Sequence, residues 1–174
     1  VQSALTGHMV FSTLHTNNAA GTFPRLLDLG INPKVVSSAI NIAIAQRLVR
    51  RLCDNCKKEV PLAGEMKTLF DKVLDNIHDK SYLEGVQREK VWEAVGCPEC
   101  NGSGFKDRLN IFEAILVNDK IEKAVIDNPS ERDIEVASRD QGLLNLVEDG
   151  FLKILSGQTS LEELKRVVDL SAVE

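Results

Sequence analysis

The sequence predicts an α/β fold with an inserted metal-binding subdomain and a helical C-terminal region. A β-branched run at residues 9–14, two helical patterns and a strand-like run at residues 46–52 follow one another, and this alternation is typical of α/β proteins. The four cysteines form two CxxC pairs. After one further strand-like run, apolar residues recur at the spacing expected of amphipathic helices.

The first segment, residues 1–52, is predicted as strand, helix, helix and strand. The apolar run Met9 to Leu14 is expected to be a buried strand. A helix with inward-facing Phe23 and Leu26 should follow, and a second helix should begin at Asn32-Pro33, because Asn caps helices and Pro suits their first position. The apolar face of that second helix is predicted to contain Val36, Ala39, Ile40, Ala43 and Ile44.

The second segment, residues 53–104, is defined by the cysteines. Cys53 and Cys56 form the first pair, and Cys97 and Cys100 form the second. Four thiolates at this spacing can bind a tetrahedral zinc ion with no position left for water, so the sequence predicts a structural rather than a catalytic site. Disulfides, unpaired thiols and a redox pair are the alternatives, and two complete CxxC pairs favour zinc over all three.

Residues 57–96 separate the two cysteine pairs and are predicted to be an insertion that the metal holds closed. Met66, Leu69, Phe70, Val73 and Leu74 fit one face of a helix within it. Closing so long a loop costs conformational entropy, which metal ligation would offset.

The third segment, residues 105–174, is predicted as one strand followed by helices. The strand contains Glu113, which needs a partner if it is buried, and Arg108 is the candidate for a structural ion pair. Helix starts are predicted at Asp119, at Ser130 and at Thr159 or Ser160. Leu143 to Leu155 should form one strongly amphipathic helix.

Composition excludes several functional classes. The chain is 43% apolar and 27% charged, as expected of a globular protein, and its net charge is −5. An acidic chain with 5% aromatic residues is a poor candidate for nucleic-acid binding. No apolar run approaches the roughly 18 residues of a membrane span. Basic residues cluster around the first CxxC pair, namely Arg47, Arg50, Arg51, Lys57 and Lys58.

Four stretches together resemble the ATPases of type II secretion and type IV pilus assembly. Residues 5–17, LTGHMVFSTLHTN, resemble the family's histidine box, and residues 45–53, AQRLVRRLC, resemble its entry into the cysteine region. Residues 102–113 resemble its Gly-Tyr-x-Gly-Arg…Glu segment, with Asp107 where the family often has glycine. Residues 141–160 resemble its C-terminal helices. The tetracysteine element separates this branch from the pilus-retraction ATPases.

The resemblance implies that the chain is the C-terminal half of a RecA-like P-loop ATPase core, with the zinc subdomain inserted. It further implies a homo-hexameric motor, cytoplasmic and peripheral at the inner membrane, where it would act on a platform protein during pilin or pseudopilin assembly. His8 and His15 would be the histidine-box residues that sense the γ-phosphate. ATP and Mg²⁺ would be cofactors of the full-length parent, and no nucleic-acid partner is implied.

The phosphate loop GxxxxGK[ST], whose backbone amides and lysine cradle phosphates, does not occur in these 174 residues. We therefore expect a fragment that neither binds ATP well nor hydrolyses it, and that contains no catalytic residue of its own. The alternative is a stand-alone, zinc-stabilised interaction module without nucleotide binding. A phosphate loop encoded upstream of Val1 would decide between the two.

Overall fold

The computed structural model describes residues 1–171. The helices are α1 (Gln2–Leu5), α2 (Thr22–Asp28), α3 (Pro33–Ala39), α4 (Gly64–Asn76), α5 (Asp119–Asp127), α6 (Glu131–Ser138), α7 (Leu146–Leu155) and α8 (Leu161–Val167). The strands are β1 (Ile42–Leu52), β2 (Lys58–Pro61), β3 (Lys90–Glu93) and β4 (Phe105–Leu116). β1 pairs with β4, and β2 pairs antiparallel with β3. This mixture of small sheets and helices confirms the predicted α/β class.

The chain folds into two compact units, and neither is continuous in sequence. The first contains residues 1–45 and 113–143, and the second contains residues 46–112 and 144–171. Each of the two long strands contributes residues to both units. The sequence instead predicted three successive segments, with the C-terminal helices separate from the cysteine region, whereas α7 and α8 belong to the same unit as the cysteines.

The core of the first unit forms where α2, α3, α5 and α6 bury their apolar faces. The fully buried residues that these helices contribute are Phe23, Val36, Ile121, Val125 and Ile134. Side-chain caps fix where three of these helices begin, because each cap satisfies an amide that has no partner within its helix. Asn32 caps α3, Asn118 caps α5 and Ser130 caps α6. The predicted cap Asp119 is instead the first residue of α5.

The core of the second unit lies between α4 and α7. The rings of Phe70 and Phe151 are 4.6 Å apart at an interplanar angle of 58°, a tilted arrangement that aromatic pairs favour. Gly150 allows α8 to approach α7 closely, since a Cβ atom there would lie 2.5 Å from the Cδ1 of Leu164. These contacts make the C-terminal helices part of the structure that surrounds the cysteines.

The predicted strand at residues 9–14 was wrong. This segment has neither helical nor strand structure, and the side chains of Met9 and Phe11 are 86% and 90% exposed. A β-strand needs a neighbouring strand for its backbone hydrogen bonds, and no strand within residues 1–171 pairs with this segment. Its apolar and β-branched composition therefore does not produce a strand here.

The second predicted helix was correct at its start and wrong at its end. It begins after the Asn32 cap as expected, but it ends at Ala39, and Ala43 and Ile44 belong to β1. Within β1, Ala43 and Val49 are buried whereas Ile42, Ile44 and Leu48 are exposed. This burial follows the two-residue period of a strand rather than the helical period assigned from the sequence.

The amphipathic helix predicted over Leu143 to Leu155 begins at Leu146. Asn145 and Glu148 form a capping box, in which the Asn145 side chain accepts from the Glu148 amide and the Glu148 carboxylate accepts from the Asn145 amide. The capping box stops the helix from extending to Leu143, because the capping residue has an extended backbone. The last helix, α8, is capped by Ser160, one of the two predicted residues.

A buried carboxylate joins α8 to β1. Glu163 has no exposed side-chain surface, and it accepts hydrogen bonds from the Arg50 amide at 2.9 Å and from the Arg50 side chain at 2.6 and 2.8 Å. Arg166 donates to the same carboxylate at 2.6 and 3.0 Å. Burial by itself would raise the pKa of Glu163, but these hydrogen bonds and charges lower it to about 2.

We expect Glu163→Gln to lower the free energy of unfolding at pH 7 by about 2–3 kcal/mol, because charge-assisted hydrogen bonds to both arginines are lost. Since the folded pKa lies below the ordinary value of 4.5, the carboxylate stabilises the fold above pH 4.5. That stabilisation is lost as the pH falls towards 2. Thermal unfolding followed by circular dichroism should therefore show a difference between parent and variant that shrinks from pH 7 to pH 2.

The exposed neighbour Glu162 supplies the control. Glu162→Gln should change the melting temperature little at any pH, because exposed charges contribute little. A Glu163→Gln variant whose melting temperature differs from that of the parent by the same amount at pH 7 and pH 2 would contradict this account.

Candidate metal centre

Two neighbouring strands bring the cysteine pairs together. β2 begins two residues after Cys56, and β3 ends four residues before Cys97. The antiparallel register pairs Lys58 with Glu93 and Pro61 with Lys90. The residues that flank the two CxxC pairs are therefore adjacent in the β2–β3 sheet. The pairing brings the two ends of the long connection together.

The four sulphur atoms form one compact cluster. The distances are 3.8 Å between the Sγ atoms of Cys53 and Cys97, 3.8 Å between those of Cys56 and Cys100, and 3.7 Å between those of Cys97 and Cys100. All four atoms lie within 4.8 Å of one another. Four sulphurs at about 2.3 Å from a tetrahedral zinc ion would be separated by about 3.8 Å. The cluster therefore has the dimensions of a four-thiolate zinc site.

The same distances show that the four cysteines do not form disulfides in this structure. A disulfide requires sulphurs about 2.05 Å apart, and all four cysteines are unpaired. The donor set contains sulphur alone, a chemistry that suits zinc and other soft metals rather than Mg²⁺ or Ca²⁺. These residues therefore fit a structural zinc ion, which would be held by four ligands with no open coordination position.

The turn after the second pair directs backbone amides towards one sulphur. The amides of Cys97 and Gly104 each donate to the Sγ of Cys100 at 3.2 Å. Burial raises the pKa of the Cys100 thiol, but these two amides and the neighbouring Cys97 and Cys56 thiols lower it to about 6. The turn thus stabilises Cys100 as a thiolate, the form that binds metals.

Cys56 shows the opposite tendency. Burial, together with the neighbouring thiols, raises its pKa to about 11 despite a hydrogen bond from the Gly96 amide. Four thiolates so close together would repel one another. A divalent cation at their centre would offset that repulsion, and this is the contribution that zinc makes to such sites.

Glycines shape the backbone around the second pair. Gly96 has φ = 106°, and a Cβ atom on it would lie 2.5 Å from the carbonyl oxygen of Gly102. Gly104 has φ = 75°, and a Cβ there would lie 2.6 Å from the Cβ of Ala94. Both positions combine a left-handed conformation with a close approach that only glycine allows. Gly102 is also left-handed, at φ = 77°, but nothing lies within 4 Å of its Cβ position.

The other predicted site residues lie elsewhere. His8 and His15 are exposed, and His8 Nδ1 is 3.1 Å from the hydroxyl of Thr6. Glu113 is 8% exposed and accepts from the amide of Ala19 at 2.9 Å. Arg108 precedes it by five residues in β4, so the two side chains lie on opposite faces of the strand. The structure does not bring Arg108 and Glu113 together as an ion pair.

Asp107, the residue that departs from the family pattern, has φ = 69°. Glycine reaches this left-handed region without strain, and Asp is among the few other residues that tolerate it. Asp107 therefore has a backbone conformation that glycine would also adopt without strain.

A cluster of arginines is the feature that the sequence did not reveal. Arg50, Arg108 and Arg166, together with Leu48, line an open cavity of about 450 Å³. Arg50 and Arg166 belong to different elements, more than a hundred positions apart in the chain, and no spacing rule relates residues so distant. The basic cluster predicted around Cys53 included Arg50 but gave no indication of Arg166.

The sequence also matches known proteins. It matches the family described as Type II/IV secretion system protein over residues 1–166. It is 40% identical to the type II secretion system ATPase E of Vibrio cholerae and 38% identical to the type II secretion system protein E of Aeromonas hydrophila, covering 96% of this chain and 31% of each relative. It is also 38% identical to the type IV pilus assembly ATPase PilB of Thermus thermophilus, covering 94% of this chain and 17% of that relative. The chain thus spans less than a third of the relatives it matches.

We expect metal analysis of the purified chain to find about one zinc ion per molecule. Cys97→Ser should remove one ligand, abolish zinc retention and lower the free energy of unfolding by more than about 2 kcal/mol, because loss of a metal is among the larger single effects on stability. Glu99→Gln, an exposed change within the same turn, is the control and should leave zinc content unchanged. Equal stability of the two variants, with no metal bound to either, would refute a zinc site.

Gly96→Ala should destabilise the metal centre, because the added Cβ would meet the Gly102 carbonyl and the backbone would be strained. Gly102→Ala is the matched control, since its backbone is also left-handed but its Cβ position is open. The rate of zinc release to a chelator should rise more for Gly96→Ala than for Gly102→Ala. If the two variants release zinc at the same rate, backbone strain alone explains the faster release, and the close approach of Gly96 to Gly102 contributes nothing to it.

Proposed function

Because this chain belongs to the Type II/IV secretion system protein family, we propose that it is the C-terminal part of a RecA-like, homo-hexameric ATPase that powers pilin or pseudopilin assembly. The observation that carries the proposal is the match to relatives named as secretion and pilus assembly ATPases over 94–96% of the chain. The activity in the full-length protein would be hydrolysis of ATP with Mg²⁺.

The division of labour within such a protein follows from the residues present. The 174 residues contain no GxxxxGK[ST] phosphate loop. The groups that hold the triphosphate would therefore come from other parts of the protein. The 174-residue chain would contribute residues that contact the nucleotide site from one side, together with a rigid zinc-stabilised subdomain.

His8 and His15 are the proposed contribution to the nucleotide site. Both side chains are exposed, so a phosphate or a neighbouring segment could approach them. Their proposed role is to organise the region around the γ-phosphate, as in the histidine box that residues 5–17 resemble. Neither residue touches the cysteine cluster among the described contacts, so changes to them should leave zinc binding intact.

The segment between the two histidines supports this view. Met9 and Phe11 are almost fully exposed, and large apolar side chains so exposed commonly mark a surface that another segment covers. We propose that residues 9–14 form a strand when the remainder of a RecA-like sheet lies beside them. The apolar and β-branched composition of this run is suited to that environment.

The zinc ion would have an architectural role. All four ligand positions are occupied by cysteine, so no water could be activated at the metal. Hydrolysis would depend on the nucleotide site, and the metal would keep residues 53–100 folded.

None of the helices within residues 1–171 is long and apolar enough to span a membrane. We propose a cytoplasmic protein that is peripheral at the inner membrane, with a platform protein of the secretion or pilus apparatus as its partner.

Isothermal titration of the 174-residue chain with Mg-ATP tests the proposed division of labour. We expect no binding in the micromolar range, because the phosphate loop is missing. Micromolar binding would show that this chain has a complete nucleotide site and would contradict the proposal. A chain that binds no nucleotide even when its natural upstream sequence is present would instead favour a stand-alone zinc module.

The histidine proposal is tested in the full-length protein. His15→Ala should reduce the rate of ATP hydrolysis while zinc content and melting temperature stay unchanged. His78→Ala is a matched control, because His78 is also exposed and lies within the connection between the cysteine pairs. An equal loss of activity in both variants, or none in either, would argue against a role for the histidine box in hydrolysis.

A further inference from the structure

Three arginines from three elements line one cavity of the second unit. Arg50 comes from β1, Arg108 from β4 and Arg166 from α8, and Leu48 completes the wall. The cavity is open to solvent, and its volume of about 450 Å³ lies in the range of small-molecule sites, about 300–1,000 Å³.

The cavity carries an excess of positive charge. Glu163 is the carboxylate bound to both Arg50 and Arg166, and its lowered pKa keeps it ionised at neutral pH. Three guanidinium groups and one carboxylate leave a net charge of +2. The side chain of Arg108 makes no ion pair or hydrogen bond to any residue within the described part of the chain. Stabilisation of Glu163 therefore explains Arg50 and Arg166 but not Arg108.

Two of the three arginines, Arg50 and Arg166, are held in place before any ligand arrives. The guanidinium of Arg50 stacks over the ring of Phe105, with Cζ 4.1 Å from the ring centroid. Its Nε and Nη2 atoms donate to Glu163, and so do the Nε and Nη2 atoms of Arg166. A guanidinium has five N–H donors, and no contact in the part of the chain that the structure describes uses the Nη1 group of either arginine. Fixed guanidinium groups lose little entropy when they bind an anion.

We propose that this arginine cavity is a binding site for a phosphate-bearing anion, supplied by a soluble phosphorylated molecule or by a phospholipid head group. A phosphate monoester carries a charge of about −1.5 to −2 at pH 7, which matches the excess charge of the cavity, whereas one carboxylate would leave a positive charge uncompensated. The planar arginine fork suits bidentate contacts to phosphate oxygens. Leu48 offers an apolar contact for the organic part of the ligand.

Titration of the 174-residue chain with pyrophosphate, followed by calorimetry, tests the site. We expect binding that weakens as salt is added, because the attraction is electrostatic. Arg108→Ala should raise the dissociation constant at least about tenfold, equivalent to about 1.4 kcal/mol. Arg108→Lys should restore only part of the affinity, since lysine keeps the charge but lacks the fork.

Arg132→Ala is the matched control, because Arg132 is an exposed arginine in α6 of the other unit. It should leave pyrophosphate binding unchanged. Among residues 1–171 the Arg108 side chain has no ion-pair or hydrogen-bond partner whose loss could unfold the protein, and circular dichroism should confirm that its variants fold. If Arg108→Ala and Arg132→Ala weaken binding equally, the effect is general charge attraction and the proposal is overturned.

Vesicles distinguish the two sources of phosphate. Sedimentation with phosphatidylcholine vesicles that contain phosphatidic acid, dependent on Arg108, would identify a lipid head group, while pyrophosphate binding without sedimentation would identify a soluble ligand. If the chain binds neither pyrophosphate nor the vesicles, the proposal is overturned. It is also overturned if Arg108→Ala changes self-association while pyrophosphate binding stays unaltered. Micromolar Mg-ATP binding that survives Arg108→Ala would count against the proposed function alone.

Discussion

Convergence of four sulphur atoms is the constraint on which the second unit depends. Residues 57–96 separate the two CxxC pairs, and the sulphurs nevertheless lie within 4.8 Å of one another. The β2–β3 register achieves this by pairing the residues that flank the pairs. Without a cation the Cys56 thiol resists ionisation, as its raised pKa indicates. The hairpin positions the ligands, and the metal would make their close approach stable.

Polar contacts add to the apolar core in linking the C-terminal helices to the second unit. Glu163 of α8 binds the side chain and backbone of Arg50, the Thr159 hydroxyl donates to the Arg50 carbonyl, and the Leu52 amide donates to the carbonyl of Gln158. These bonds act on the last residues of β1, directly before Cys53. The strand that delivers the first cysteine is therefore held by the end of the chain. Two of the three cavity arginines, Arg50 and Arg166, take part in that connection.

Local rules predicted the features that depend on neighbouring residues. Spacing and capping chemistry are local. They made three kinds of feature predictable, namely both CxxC pairs, the helix caps at Asn32, Ser130 and Ser160, and the helical face of Phe70 and Val73. The predicted strand at residues 9–14 was wrong because strand formation depends on a partner strand, which the local pattern does not reveal. The sequence did not predict β2 because a run of four residues shows too little periodicity. It did not predict the Glu163–Arg50 pair because these residues are 113 positions apart.

Trp92 lies where the elements of the second unit meet. It is the single tryptophan of the sequence, its ring faces the ammonium groups of Lys57 and Lys90 at 5.9 and 5.4 Å, and a Cβ on Gly157 would lie 3.0 Å from its ring atoms. Indole emission is sensitive to nearby charge and to hydration. The chain therefore carries its own optical probe of whether the hairpin, the first thiol pair and the turn before α8 are assembled, readable without any added dye.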